Sequence, residues 1–165
     1  MNAYMTNGTI EYLEKLADQH PQFEFFIMNS VSSTVAYYED AGKNIFNSGR
    51  EYEILIKSGD IQMEGFVVLN NIPLTAEGSP VFIDRFRKNQ PKVESVPGFQ
   101  AFRLLKPVKG HVFVVLTQWT SENDFKIWQE SDAFAQSHDS SSIKPQAYMP
   151  DKPYLTSYSM HEEED

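Results

Sequence analysis

The sequence predicts an α+β fold built from two halves. Short runs rich in aromatic and β-branched residues predict strands, and a few amphipathic segments with capping residues predict helices. In the second half these elements follow the order β-α-β-β-α-β, which is the ferredoxin-like arrangement. With 165 residues, 12 Phe, 8 Tyr and 2 Trp, the chain can bury an aromatic-rich core.

The first half is predicted to hold one helix and about three strands, as a degenerate version of the second half. Apolar residues recur at helical spacing from Thr9 to His20, and Pro21 ends this helix. Strands are predicted for Phe23 to Met28, Thr34 to Tyr38 and Tyr52 to Lys57, with a short helix as the alternative for the last. The segment Gly59 to Met63 resembles a joint, so we divide the chain into residues 1–62 and 63–165.

The second half is predicted to hold four strands and its helices. The strands are Gly65 to Asn70, Phe99 to Leu105, His111 to Trp119 and Tyr154 to Ser159. Ser79 before Pro80 predicts the start of a helix that stops before Pro91. Ser121 resembles the first residue of a capping box for the helix that carries Trp128, and Ser131 can cap a second short helix.

Composition excludes several classes of function. The net charge of -9, without a cluster of Lys or Arg, argues against nucleic-acid binding. The chain has no Cys, which excludes disulfides and thiolate chemistry and fits a reducing cytoplasm. It has no glycine-rich phosphate loop, so we expect no nucleotide site. We also expect no signal peptide and no membrane span, because no basic segment precedes an apolar one and all apolar runs are short.

Three polar or aromatic residues are candidates for chemistry. Asn70 ends an apolar strand and shares a face with Phe66 and Val68, whereas Asn71 points the other way. Trp128 and His138 lie ten positions apart on two short predicted helices. Each has an ordinary explanation: an amide bonded to backbone, an aromatic core residue, and a histidine near a helix end. A neutral imidazole is also a common heme ligand.

A longer pattern around these residues resembles a known family. Phe125, Trp128, Ser131, Asp132, Phe134 and His138 have the spacing of the IsdG-type heme-degrading monooxygenases, which belong to the antibiotic biosynthesis monooxygenase (ABM) superfamily of dimeric αβ barrels. Leu116, Thr117, Trp119, Gly98 and Phe99 also match, as do Asn70, Leu74, Thr75, Ile83, Arg85 and Phe86 upstream. The resemblance covers roughly residues 65–160. The added N-terminal half is similar to that of the longer HmoB-like and TRAP-like proteins.

The resemblance implies an activity and a set of roles. His138 would bind the iron of heme, Asn70 would donate a hydrogen bond on the oxygen-binding side, and Trp128 would push the macrocycle out of plane. The phenylalanines Phe86, Phe125 and Phe134 would line the site, and Arg85 would reach a heme propionate. Heme would be both cofactor and substrate, with O2 as oxidant. Because no nucleotide site is encoded, the electrons would come from an external reductase or small reductant.

Two other functions stay open at the level of sequence. The chain could bind heme for signalling without degrading it, as a TRAP-like protein, or act as a cofactor-free ABM monooxygenase on an aromatic substrate. For assembly, we expect the N-terminal half to replace the second subunit of the small enzymes, because Phe23, Phe25 and Ile27 alternate along a strand and offer an apolar face. One chain would then form a monomeric internal pseudo-dimer.

Overall fold

The computed structural model describes residues 1–42, 44–46, 49–88, 94–130 and 152–161. Within them lie eight strands and three helices. The first half contains β1 (Asn2–Asn7), α1 (Ile10–Gln19), β2 (Phe26–Asn29), β3 (Thr34–Asp40) and β4 (Arg50–Gly59). The second half contains β5 (Phe66–Pro73), α2 (Gly78–Lys88), β6 (Phe99–Pro107), β7 (Val112–Trp119), α3 (Glu122–Gln129) and β8 (Tyr154–Met160).

Side-chain caps start two of the helices, and the cap at Ser121 is the one that the sequence predicts. Thr9 accepts a hydrogen bond from the backbone N–H of Tyr12 at 3.2 Å, and Ser121 accepts one from the backbone N–H of Asp124 at 3.2 Å. The predicted helix α2 is present, but its predicted N-cap is wrong, because the helix begins at Gly78, one residue before Ser79. Thr75 takes the capping role instead: its hydroxyl accepts from the N–H of Gly78 at 2.9 Å, and its carbonyl accepts from the Ser79 hydroxyl.

The strands differ from the prediction mainly at their ends. The β1 strand was not predicted, because four consecutive buried residues give it no two-residue alternation. The strand predicted from Phe23 begins only at Phe26. The segment from Tyr52 to Lys57 is a strand, part of the longer β4, and not a helix. The predicted helix at Ser131 lies outside the described residues.

All eight strands join into one closed antiparallel barrel in the order β1-β3-β2-β8-β5-β7-β6-β4. The first half supplies the neighbours β4-β1-β3-β2, and the second half supplies β8-β5-β7-β6 in the same relative order. Each half is therefore a four-stranded ferredoxin-like sheet, and the halves meet along two seams, β2–β8 and β4–β6. The predicted α+β fold, with an N-terminal half that completes the barrel, is confirmed.

Three apolar clusters follow from the two faces of this sheet. The barrel interior draws residues from all eight strands, including Met5, Met28, Leu69 and Leu116. Outside the barrel, α2 and α3 cover the second half, and α1 covers the first. The predicted alternation of Phe23, Phe25 and Ile27 holds, but their face packs beneath α1 and not inside the barrel.

The predicted joint between the halves carries one backbone constraint. Gly59 ends β4 with φ of +69°, and a Cβ atom there would collide with the carbonyl oxygen of Gln100. Only glycine tolerates both conditions. Beyond it, Ile61 enters the barrel interior, and the backbone of Gln62 bonds the buried side chain of Gln118 at 2.7 Å. The division at residues 62 and 63 remains a prediction, which the repeated strand order supports.

None of the helices in the described ranges is both long and apolar enough to cross a membrane.

A buried ion pair joins the two halves inside one end of the barrel. Arg103 on β6 is only 1% exposed, and its Nε donates to Glu39 Oε2 on β3 at 2.8 Å. Its Nη1 also donates to the carbonyl oxygens of Ser58 and Gly59 at 3.0 and 2.8 Å. Tyr37 donates its hydroxyl to the same carboxylate at 2.7 Å, and burial, followed by the charge of Glu39, holds the pKa of Tyr37 well above its usual value.

We expect Glu39→Ala to lower the free energy of unfolding by about 3 kcal/mol, because it leaves the buried Arg103 charge without its partner. The matched control is Asp84→Ala, which breaks an exposed pair with Lys88 and should cost less than about 1 kcal/mol. Urea unfolding of both variants measures the difference. Equal losses would show that the buried pair contributes no more than a surface one.

Candidate functional site

Asn70 lies on the outer face of β5, beneath the helices of the second half. Its neighbours at two-residue spacing, Phe66 and Val68, belong to the outer cluster, whereas Val67 and Leu69 face the barrel interior. Asn71 faces inward and lies within bonding distance of the Thr156 hydroxyl at 3.1 Å. The predicted opposite facing of Asn70 and Asn71 is therefore confirmed.

The described residues around Asn70 do not bond its amide. It is half-buried and stands in register between Val115 on β7 and Leu155 on β8. Among the described residues, no hydrogen-bond partner accompanies its side chain, although a polar group beside apolar neighbours normally has one. An amide in this position can bond a ligand that settles on the outer face of the sheet.

Trp128 lies on the same outer face but is packed as a core residue. It is 4% exposed, and its ring lies 5.2 Å from that of Trp119 and 6.2 Å from that of Phe125. Trp119 is itself held by a hydrogen bond from its indole N–H to the Thr117 hydroxyl at 3.0 Å. The ordinary explanation for Trp128 thus holds in this structure, and a role as a rigid wall is compatible with it.

Two predicted phenylalanines lie in the same outer cluster as Trp128. Phe125 packs against Phe66, with ring centroids 6.2 Å apart. Phe86 packs against the cluster from α2 and stacks on Phe102 of β6 at 5.8 Å.

The structure gives less information on the positions of three further candidate residues. Arg85 is exposed on α2. Phe134 and His138 lie outside the described residues. Within the ranges that are described, no three His, Asp or Glu side chains cluster as metal ligands. A heme iron needs only one strong protein ligand, so the heme hypothesis does not require such a cluster.

A separate cleft opens at the β4–β6 seam. It has a volume of about 330 Å³, and Arg50, Tyr52, Lys109 and His111 are among the residues that line it. None of the predicted site residues lines this cleft. Sequence reasoning did not single it out, because its walls come from β4 and from the β6–β7 hairpin, which are distant in sequence.

Comparison with known proteins identifies the family. A model of the family described as antibiotic biosynthesis monooxygenase matches residues 65–140. A heme-degrading monooxygenase of Listeria monocytogenes is 30% identical over 128 residues, which cover 78% of this chain and 77% of that protein. The chain belongs to the ABM family.

Other relatives of this ABM protein carry a different name. The signal transduction protein TRAP of Staphylococcus aureus is 21% identical over 131 residues, which cover 79% of this chain and 78% of TRAP. Among solved structures, a regulator of staphylococcal pathogenesis has a TM-score of 0.88 at 20% identity, over 98% of this chain and 100% of that one. A heme-degrading enzyme from L. monocytogenes has a TM-score of 0.75 at 23% identity, over 96% and 99%. Both structures share the fold.

We expect Trp128→Ala to lower the free energy of unfolding by about 3–5 kcal/mol, because it removes a buried ring from the cluster with Trp119 and Phe125. Trp128→Phe keeps part of this packing and should cost less. The control is Ile127→Ala on the exposed side of α3, where a change of less than about 0.5 kcal/mol is expected. Denaturant unfolding compares the three, and a loss at Trp128 as small as at Ile127 would contradict the packing described here.

Proposed function

We propose that this ABM protein degrades heme with O2, releasing iron and an opened tetrapyrrole. The observation that carries the proposal is the half-buried Asn70 amide, which has no partner among the described residues and stands on the aromatic-rich face that Trp128 occupies. The 30% identity to a heme-degrading monooxygenase supports the same assignment. Family membership alone leaves the substrate open, since ABM folds serve more than one chemistry.

The residues on this face fit a large, flat and mostly apolar molecule. Phe66, Val68 and Val115 supply apolar surface beside Asn70, and Trp128 and Phe125 supply aromatic surface. Apolar and aromatic walls with a few placed polar groups are typical of such sites. Heme, when bound, supplies the iron at which oxygen is activated and is also the molecule that is opened.

Each residue then has a distinct part in the proposed reaction. His138 would hold the iron through a neutral imidazole. Asn70 would donate a hydrogen bond from its amide to the oxygen substrate and stabilise negative charge that develops on it. Trp128 would pack against the flat molecule, and its buried neighbour Trp119 would keep the Trp128 ring in place. Arg85 lies on the exposed surface of α2, and we propose that it contacts a propionate.

Monooxygenation inserts one atom of O2 into the substrate and reduces the other atom to water, which takes two electrons and two protons from an external donor. The sequence contains no glycine-rich nucleotide-binding loop that would hold a nicotinamide or flavin. A separate reductase or a small reductant is therefore the proposed donor. Iron recovery in the cytoplasm is the natural role for such a reaction.

The decisive experiment adds reductant to the heme-loaded protein in air. We expect the Soret band to bleach and chelatable iron to appear. His138→Ala should weaken heme binding at least tenfold, because it removes the strong ligand of the iron. The matched control is His111→Ala, an exposed histidine on the far hairpin, which should bind heme as the wild type does.

Three outcomes would contradict these assignments in different ways. Stable heme in the presence of reductant would favour the TRAP-like signalling function. Failure to bind heme in stoichiometric amounts would favour a cofactor-free ABM monooxygenase. An unchanged spectrum and affinity in His138→Ala would remove that residue from the site.

We expect Asn70→Ala to bind heme with nearly unchanged affinity but to degrade it about a hundredfold more slowly, because one lost donor matters mainly when charge develops. Asn71→Ala is the control, since its amide faces the barrel interior. Single-turnover bleaching of both variants measures the rates. Equal losses would refute the assignment of Asn70 as the donor.

A further inference from the structure

The two seams between the halves are not equivalent. At the β4–β6 seam, paired residues run from Tyr52 opposite Pro107 to Gly59 opposite Ala101. At the β2–β8 seam, only Met28 with Met160 and Asn29 with Ser159 are paired. Among the described residues, the remainder of β8 pairs with no strand on this side.

Leu155 lies in this part of β8, directly opposite Asn70 in the β5–β8 register. Tyr158 and Met160 face the barrel interior, so Leu155, Ser157 and Ser159 face outward by alternation. Side chains directly opposite one another on antiparallel strands have Cβ atoms roughly 5 Å apart. Leu155 is nevertheless 48% exposed, whereas Val115, on the other side of Asn70, is buried.

The outward face of β8 has a particular composition. Its residues Ser157 and Ser159 are small, and they oppose Val68 and Phe66 on β5. Leu155 is the one large apolar side chain among the outward residues of this strand. An exposed aliphatic side chain beside an amide that has no partner among the described residues can form the wall of a ligand site.

We propose that Leu155 is a heme-contacting residue, which packs on the edge of the tetrapyrrole beside Asn70 and sets the rotation of the macrocycle in the site. This inference rests on the proposed function. It adds a residue of β8 to the site, and the family motif includes no residue of that strand. It also places the site beside the short β2–β8 seam between the halves. Sites at the junction of two structural units are common.

The test titrates hemin into Leu155→Ser, which gives β8 an outward face of serines. We expect the dissociation constant of hemin to rise about fivefold. The effect is modest because the Leu155 side chain is already partly buried before hemin binds, so binding removes only the rest of its apolar surface from water. A second variant, Leu155→Phe, should change the pattern of ring-methyl resonances in the proton NMR spectrum of the ferric complex, because a larger side chain rotates the macrocycle. The matched control is Ile127→Ser, which is 59% exposed on α3 and should change neither quantity.

The possible results separate this inference from the proposed function. Weaker binding in Leu155→Ser together with new methyl resonances in Leu155→Phe supports the contact. If wild-type protein binds and degrades heme while both Leu155 variants match it, the contact is refuted and the proposed function stands. If wild-type protein does not bind hemin, both fail. A loss in Ile127→Ser equal to that in Leu155→Ser would also overturn the proposal, because it would reveal a general effect of surface polarity.

Discussion

The structure depends on closing two four-stranded sheets into one barrel within a single chain. Each sheet alone would expose two unpaired edges and one apolar face, which proteins normally cover. Pairing at the β2–β8 and β4–β6 seams covers the edges, and the shared interior covers the face. The ion pair of Arg103 with Glu39 crosses between the halves, and because the Arg103 charge is buried, separating the halves would leave that charge without its partner. Closure within the chain is also the reason to expect a monomer.

The two halves use the same strand order but treat their outer faces differently. In the first half, stacked aromatic rings fill that face: Tyr4 and Tyr38 lie 4.8 Å apart, and Phe25 and Phe46 pack around Tyr38. In the second half, the corresponding face carries the amide of Asn70. Both outer faces are rich in aromatic residues, so the half-buried amide of Asn70, and not the aromatic content, is the feature on which the proposed site depends.

Local patterns predicted much of this structure, and what they missed depends on distant partners. Alternation was enough to set Asn70 and Asn71 on opposite faces, and Ser121 marked the start of α3. The β1 strand was not predicted because both of its faces are buried, so its sequence shows no alternation of apolar and polar residues. Leu155 was not predicted as a site residue because its proposed role depends on the register between β5 and β8. No short motif encodes its pairing with Asn70, which lies 85 positions away in the sequence.

Trp128 and Asn70 illustrate two ways in which a fold can supply a functional group. A side chain that presses on a ligand has to be stiff, and stiffness comes from close packing against buried neighbours such as Trp119. Under the proposed function, Trp128 couples stability to reactivity, and its substitution is expected to change both. Asn70 makes no side-chain hydrogen bond to another described residue, so its replacement removes no such bond. In the proposed site, the wall is part of the core, whereas among the described residues the donor is positioned by the strand that carries it.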